Sequence, residues 1–266
     1  LESNDIALFS YENMLFCAFR ACDYLKASFA PLTRWNSLVC YICDFLNIDK
    51  PKSVKDPSFT VKGELKGDFF DELKACTDNS IKLLKNYLVT PDGKYGIKEG
   101  LSHNIRPDGR RIIADVVRTD CTGEAAGAFI FSFDNELSDI ADNMYSLCYG
   151  PLTVHGGEYD GMVRWTEEAW EVCYQDDVAR AIIPSLLASY FGNTDKYVGS
   201  ACHALKFLCE TTPKNGLRPA RTDVLEFMKS GKTIKSLTEE ESGYASAHYN
   251  AYYSAALLLG YILTCN

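Results

Sequence analysis

The chain has 266 residues, of which 47% are hydrophobic and 24% are charged, so it can bury a sizeable core. This length corresponds to one large domain or to a domain with a small attachment. Its net charge of -9 argues against a nucleic-acid partner, which requires a basic surface. No apolar run approaches the roughly 18–20 residues needed to span a bilayer, so we expect no membrane partner.

The first 66 residues are predicted to form an N-terminal helical segment. Apolar residues recur with helical spacing over about 5–28 and 33–47, and Pro31 separates the two runs. A Lys-rich link at about 49–66 follows. The chain begins without Met, which predicts a junction from upstream domains of the same polypeptide, packed on the main domain.

Residues 67–266 are predicted to form the main domain, in which consecutive helices are joined by short loops. The predicted helices cover about 68–88, 121–133, 135–149, 177–191, 194–210, 220–230 and 244–264. Two Pro-Asp-Gly turns bracket a predicted hairpin of 94–105 and 110–118, and 161–175 is predicted to form two short strands. The pattern predicts a mainly α fold of helical hairpins, with small β-hairpins at the helix-end loops.

The eleven cysteines are best explained as free thiols rather than as a disulfide framework or a metal site. Cys202 and Cys209 share one face of a helix-like run, where cysteine packs as a small hydrophobe. Cys40 and Cys43 lack the second pair or nearby histidine of a metal site. The odd count favours a cytoplasmic location. No glycine-rich nucleotide-binding loop is present, so we expect no cofactor. No cluster of His, Cys and carboxylate residues has metal-ligand spacing, so we expect no metal.

Two polar clusters are predicted around the hairpin and the helix after it. Glu99 and His103 form either a solvated hairpin edge or the rim of a cleft. Asp120 is predicted to cap the next helix, with Glu124 one turn later on the same face. Arg118 and Asp120 also fit a pair that binds a sugar or a carboxylate, so a plain cap and a binding pair both remain open.

The stretch "WEVCYQDDVAR" carries a third cluster. Asp176 or Asp177 is predicted to cap the following helix, and Arg180 is within reach of both. Adjacent carboxylates at a helix start point in different directions, so one caps the helix while the other faces a cleft. Trp165 and Trp170 precede them. Aromatic faces beside carboxylates suit sugar rings, and ordinary packing is the alternative.

The fourth cluster comes late in the chain. Arg218 and Arg221 are predicted to offer two cations from a loop. His248 and Tyr252 share one face of the final helix, with Tyr249 beside them. A helical histidine is more often structural than catalytic, but this one has tyrosine neighbours.

Four segments together resemble the (α/α) toroid of six-hairpin glycosidase-like proteins. They are "PDGKYGIKEGLSHNIRPDGRRIIADVVRTDCTGEAA", "VRWTEEAWEVCYQDDVARAIIPSLLASY", "NGLRPAR" and "AHYNAYYSAALLLGY", and the resemblance covers roughly 68–264. That superfamily includes unsaturated glucuronyl hydrolases, N-acylglucosamine epimerases and bacterial polysaccharide-degrading hydrolases. A complete toroid has more helices than are predicted here, so either the ring is incomplete, or one or more hairpins are shortened or belong to a region outside this sequence.

The resemblance implies that the sugar site lies at the helix-end loops on one side of the ring. Its acids would be Asp120, Glu124, Asp176 and Asp177, with Glu99 as a further candidate. Asp120 and one of the two adjacent aspartates are expected to open onto the same pocket.

The leading expectation is a bacterial glycoside hydrolase acting on an oligosaccharide, including one that carries uronic acid, by carboxylate general acid/base catalysis. Asp177 or Asp120 would be the acid, with its pKa raised by burial. Anionic or hydroxylated substrate would be held by arginines, namely Arg118, Arg180, Arg218 and Arg221. One alternative is a non-catalytic carbohydrate-binding or scaffolding domain of a larger enzyme. Another is a sugar epimerase or uronate lyase, whose chemistry would use His248, Tyr249 and Tyr252.

Overall fold

A computed structural model of the chain describes residues 8–18, 35–50, 67–105, 111–239 and 246–265. The chain divides into two compact units, one formed by 1–69 with 100–114 and the other by 70–99 with 115–266. Within the described ranges the secondary structure is mainly helical, which confirms the predicted mainly α class. None of the helices in these ranges is long and apolar enough to cross a membrane.

In the first unit, a hairpin replaces part of a predicted helix. Strands β1 (Leu8–Tyr11) and β2 (Met14–Cys17) pair antiparallel, which shows that the helix predicted over 5–28 is wrong for these residues. Phe9 and Phe16 are direct cross-strand partners, and their stacked rings lie 4.8 Å apart. Aromatic pairs of this kind stabilise two-stranded sheets, and the apolar run has no polar face to enforce a helical period. Helix α1 (Trp35–Leu46) confirms the predicted helix at 33–47.

The rest of the described chain contains seven more helices and two further strand pairs. The helices are α2 (Phe69–Leu83, continued by a π-helical turn at Leu84–Leu88), α3 (Thr119–Ile130), α4 (Asn135–Tyr149), α5 (Gln175–Gly192), α6 (Val198–Glu210), α7 (Val224–Ser230) and α8 (Ala247–Thr264). The strands are β3 (Lys98–Ile105) paired with β4 (Arg111–Val117), and β5 (Val172–Tyr174) paired with β6 (Arg221–Asp223). Each predicted helix of the main domain is therefore confirmed, within a few residues at each end.

The prediction of two neighbouring strands within 161–175 is only half right. β5 forms, but its partner is β6, about fifty residues later, with Tyr174 opposite Arg221. Residues of the first predicted strand make isolated bridges instead, Val163 to Thr153 and Thr166 to Arg118. A pairing partner so distant in sequence leaves no local pattern.

The helices of the second unit are connected by a series of pairwise contacts. α3 packs against α5 and α5 against α8, while α4 lies against α3 and α6 lies against α5 and α8. The core between them includes Ile182, Leu186, Leu208 and Ala256, all of which are fully buried. Burial of such side chains is the main favourable contribution to folding.

Helices α3 and α5 approach each other closely because α3 carries glycines at the contact. A Cβ atom on Gly123 would lie 2.5 Å from the Cα of Ala181, and one on Gly127 would lie 2.5 Å from the Cβ of Pro184. No real side chain fits in such a gap. The small residues of α3 thus allow it to lie directly against the backbone of α5.

Candidate functional site

The candidate site forms where two strand-to-helix junctions lie side by side. α3 begins immediately after β4, and α5 begins immediately after β5. The backbone N–H of Thr119 donates to the carbonyl of Trp165 at 3.0 Å, and Arg118 and Thr166 form a β-bridge. These bonds hold the start of α3 against the segment that leads into α5. The carboxylates in the first turns of α3 and α5 therefore lie close to one another.

None of Asp120, Asp176 and Asp177 is the helix cap that the sequence predicts. Arg118 and Tyr174 occupy the N-cap positions of α3 and α5, and neither side chain caps its helix. Asp120 and Asp177 lie inside the first turn, and both are almost fully buried. The carboxyl group of Asp177 shares a hydrogen bond with that of Asp120. The structure thus brings together the two aspartates that the sequence analysis paired.

Arg118 connects three carboxylates. Its Nε and Nη2 donate to the two oxygens of Asp120 at 3.0 and 2.8 Å, which is the bidentate geometry that arginine favours. Nη2 also donates to Asp177 at 3.2 Å, and Nη1 donates to Glu99 at 3.0 Å. Burial opposes the charge, but the carboxylates of Asp120 and Asp177 outweigh it and raise the pKa of Arg118. All three guanidinium nitrogens are thereby engaged.

Arg180, which lies on α5, also connects three carboxylates. Its Nε and Nη2 donate to the two oxygens of Glu124 at 2.8 and 2.7 Å. Its Nη1 lies 3.0 Å from Oδ2 of Asp120 and 3.9 Å from Oδ1 of Asp177. The hydrogen bond to Glu124 is the largest of the effects that raise the pKa of Arg180. The cluster therefore links β3, α3 and α5 through alternating acids and arginines.

Burial raises the pKa values of two carboxyl groups in the cluster, those of Asp177 and Asp176. For Asp177, burial followed by the negative charge of Asp120 raises the pKa from 3.8 to about 7. Burial also raises the pKa of Asp176, while backbone N–H groups at the helix start oppose that rise. The Asp120–Asp177 pair therefore holds a proton more readily than an isolated aspartate does, which is a property that a general acid requires.

Aromatic rings border the cluster on two sides. The guanidinium of Arg118 lies 5.5 Å from the ring of Trp165, and that of Arg180 lies 5.9 Å from the ring of Tyr252. The His248 ring contacts Tyr252 edge-on at 5.1 Å, and its Nε2 lies 3.9 Å from Oδ2 of Asp176. The start of α8 therefore contributes one wall of the site. His248 and Tyr252 lie together there, on the helix face that they were predicted to share.

The sequence analysis did not select Cys121, although it is adjacent to Asp120 in α3. Burial and the charge of Asp120 raise the pKa of its thiol to about 12. The thiol is therefore protonated at neutral pH and is a poor nucleophile. The only signal in the sequence was its position beside the aspartate.

Three predicted substrate-binding residues lie away from the acid pair or at its margin. Trp170 is half exposed and stacks with Arg164 at 5.7 Å. Arg221 donates to the hydroxyl of Tyr174 at 3.4 Å, and its Nη2 lies 3.6 Å from Asp223. Tyr249 contacts the His248 ring at 5.5 Å. His103 is on β3, where its side chain lies outside the described part of the structure.

Arg218 corrects an expectation, because it is not a free cation on a loop. Its side chain is only 1% exposed, and its Nη1 and Nη2 donate to the carbonyl of Leu208 and the hydroxyls of Thr211 and Thr222. Burial lowers its pKa. The side chain holds the end of α6 against β6 and is unable to reach a substrate. Loop composition gave no sign of this, because the burial depends on distant elements.

In the described part of the chain, no three His, Cys, Asp or Glu side chains converge as a metal ion would require. Comparisons of the chain with protein-family models, with curated proteins and with solved structures found no match.

Proposed function

We propose that the chain is a glycoside hydrolase that acts on an oligosaccharide, with Asp177 as its general acid. The observation that carries this proposal is the buried carboxyl pair of Asp120 and Asp177, in which the pKa of Asp177 is raised to about 7. Glycoside hydrolysis needs a carboxylic acid that is still protonated near neutral pH to protonate the leaving oxygen. The rings of Trp165 and Tyr252 beside the pair suit the apolar faces of a sugar.

Asp120 positions the proton of this acid. Both of its oxygens accept hydrogen bonds from Arg118, and Arg180 contacts one of them. Asp120 is therefore held as the fixed neighbour whose charge keeps the proton on Asp177. Arginine holds both oxygens of Asp120, whereas the arginine contacts of Asp177 are to its Oδ1, so we assign the second catalytic carboxylate to another side chain.

Glu99 is the proposed base that activates water. Its side chain is 41% exposed, and Arg118 holds its Oε1 at 3.0 Å, on the same guanidinium that contacts Asp177. Glu124 is equally exposed, but Arg180 binds both of its oxygens. An exposed carboxylate with one oxygen held is the better geometry for proton abstraction from water.

The proposal includes an incomplete (α/α) toroid as the architecture. The contacts support it, since α3, α5 and α8 contact one another in sequence, while α4 contacts α3 and α6 contacts both α5 and α8. The acid pair is at the N-terminal ends of α3 and α5. A ring of helical hairpins places its site at such helix-end loops.

The test is release of sugar from a panel of neutral, amino and uronic-acid glycosides, measured from pH 5 to 9. Activity should decline as the pH rises above 7, because Asp177 loses its proton. Asp177→Asn and Glu99→Gln should each lower kcat by about 10² to 10⁴-fold, and Glu124→Gln should lower it far less. Binding without turnover of any glycoside would replace the hydrolase with a non-catalytic carbohydrate-binding domain.

A sugar epimerase or uronate lyase is the second candidate, and the position of His248 favours it. The imidazole lies beside Asp176 and contacts Tyr252, so a base and a tyrosine border the same site. Such an enzyme would change the sugar without hydrolysing a glycosidic bond, and His248→Gln would abolish its activity. A hydrolase should retain most of its activity in this variant.

A further inference from the structure

Neither arginine of the site has a pair of N–H donors left to bind a substrate carboxylate. Each guanidinium nitrogen of Arg118 donates to Glu99, Asp120 or Asp177. Arg180 commits Nε and Nη2 to Glu124 and places Nη1 against Asp120. An arginine recognises a ligand carboxylate through two parallel N–H donors, and here the protein's own carboxylates occupy that position. The side chains of Arg118 and Arg180 are thus bound to carboxylates of the protein itself.

The acids of the cluster also outnumber its arginines. Glu99, Asp120, Glu124, Asp176 and Asp177 surround two guanidinium groups. An excess of negative charge therefore remains when Asp177 carries a proton, even if His248, which lies 3.9 Å from Asp176, is counted as a third cation. The other two arginines that the sequence assigned to substrate do not reverse it, since Arg218 is buried and Arg221 contacts Asp223.

We propose that this site selects sugars without negative charge, either neutral or carrying an ammonium group, over sugars that carry a carboxylate. Glu99 and Glu124 are the exposed carboxylates of the cluster, so they would repel the carboxylate of a uronic acid, for which no donor pair is open. Hydroxyl and ammonium groups instead donate to carboxylates. The inference rests on the proposed hydrolase site and contradicts the expectation of a uronic-acid substrate.

The experiment uses three sugars with the same ring and different charge. Binding of p-nitrophenyl glycosides of glucose, glucosamine and glucuronic acid, in both anomeric forms, is measured by calorimetry at pH 6.5, where the amine is protonated. The glucosaminide should bind tightest and the glucuronide weakest, with the glucoside on the order of tenfold tighter than the glucuronide. Raising the salt to 0.5 M should shrink the differences, because salt screens partly exposed charges.

A matched pair of variants locates the effect. Glu124→Gln removes one negative charge from the cluster and should improve glucuronide binding several-fold relative to glucoside. Glu136→Gln removes a charge from α4, where Glu136 contacts Lys85 at 2.8 Å, and should leave the order unchanged. Equal or tighter binding of the glucuronide by the native chain overturns the proposal, as does failure to bind any of the three sugars.

The outcomes separate this inference from the hydrolase proposal. Fastest turnover of the glucuronide would keep the hydrolase and overturn the charge preference. Preferred binding of the glucoside over the glucuronide, with no turnover in the whole panel, would keep the charge preference and remove the hydrolase.

Discussion

At the scale of single residues, Asp177 links the stability of the fold to pH. Its pKa of about 7 lies above the value of about 3.9 for an aspartate in an unfolded chain. The folded state therefore binds this proton more tightly than the unfolded state. The resulting stabilisation is fully present below about pH 4 and is lost as the pH rises through 7.

Asp177→Asn should remove this dependence, since an amide does not titrate. Thermal unfolding of the native chain and the variant at several pH values between 4 and 8 should show the variant gaining relative stability as the pH rises. The gain should be on the order of 3 kcal/mol across that range. Asp78→Asn, which changes an exposed partner of Lys74, is the control and should run parallel to the native chain. Parallel curves for Asp177→Asn would contradict the raised pKa.

The sequence indicated the acid pair but not its partners. The two segments "RTDCTGE" and "CYQDDVAR" both place an aspartate at the end of a strand and the start of a helix, which is why Asp120 and Asp177 could be paired in advance. The engagement of every nitrogen of Arg118 could not be foreseen, because Glu99 reaches it from another element. The burial of Arg218 has the same cause, since its partners lie on α6 and β6.

At the scale of elements, the contact between α3 and α5 depends on Gly123. Gly123→Ala would place a methyl group 2.5 Å from the Cα of Ala181, and backbone atoms cannot rotate away. The helices would have to separate, which should cost about 1–3 kcal/mol and lower Tm by several degrees. Thermal or denaturant unfolding measures the loss.

Gly199→Ala is the matched control. Gly199 lies in the first turn of α6, and nothing is within 4 Å of where its Cβ would be. Alanine has the higher helix propensity, so this variant should be unchanged or up to about 1 kcal/mol more stable. An equal loss of stability in both variants would show that the contact with α5 is not the cause.

Helices were predicted correctly where the apolar residues recur with a single clear period. The main-domain helices combine an apolar stripe with turn residues at their ends, as at Gly150-Pro151 after α4, so only one structure fits the pattern. Residues 8–17 lack such a contrast, because apolar and aromatic residues fill both possible periods. The partner of β5 is distant in sequence, and hydropathy does not report pairing of that kind.

At the scale of the whole molecule, the net charge of -9 opposes compaction. Raising NaCl from 20 to 300 mM at pH 7.5 should therefore raise Tm by a few degrees, because salt screens the repulsion among carboxylates. Exposed ion pairs such as Lys74–Asp78 weaken in salt but contribute little. The rise should be smaller at pH 5, because the sequence pI is about 5.0 and little net repulsion is then left to screen. A fall in Tm at pH 7.5 would contradict this balance.

The close contact at Gly123 also bears on how a ligand is received. Gly123 lies one turn beyond Asp120 and Ala181 one turn beyond Asp177, so the backbones of α3 and α5 meet directly behind the acid pair. Side-chain rearrangements in the core therefore have little influence on the separation of the two carboxyl groups. The pair is held in place by the backbone, which is the preorganisation that the proposed general acid requires. For the proposed sugar site, we expect adaptation to substrates of different size to come from the α8 side, through His248 and Tyr252.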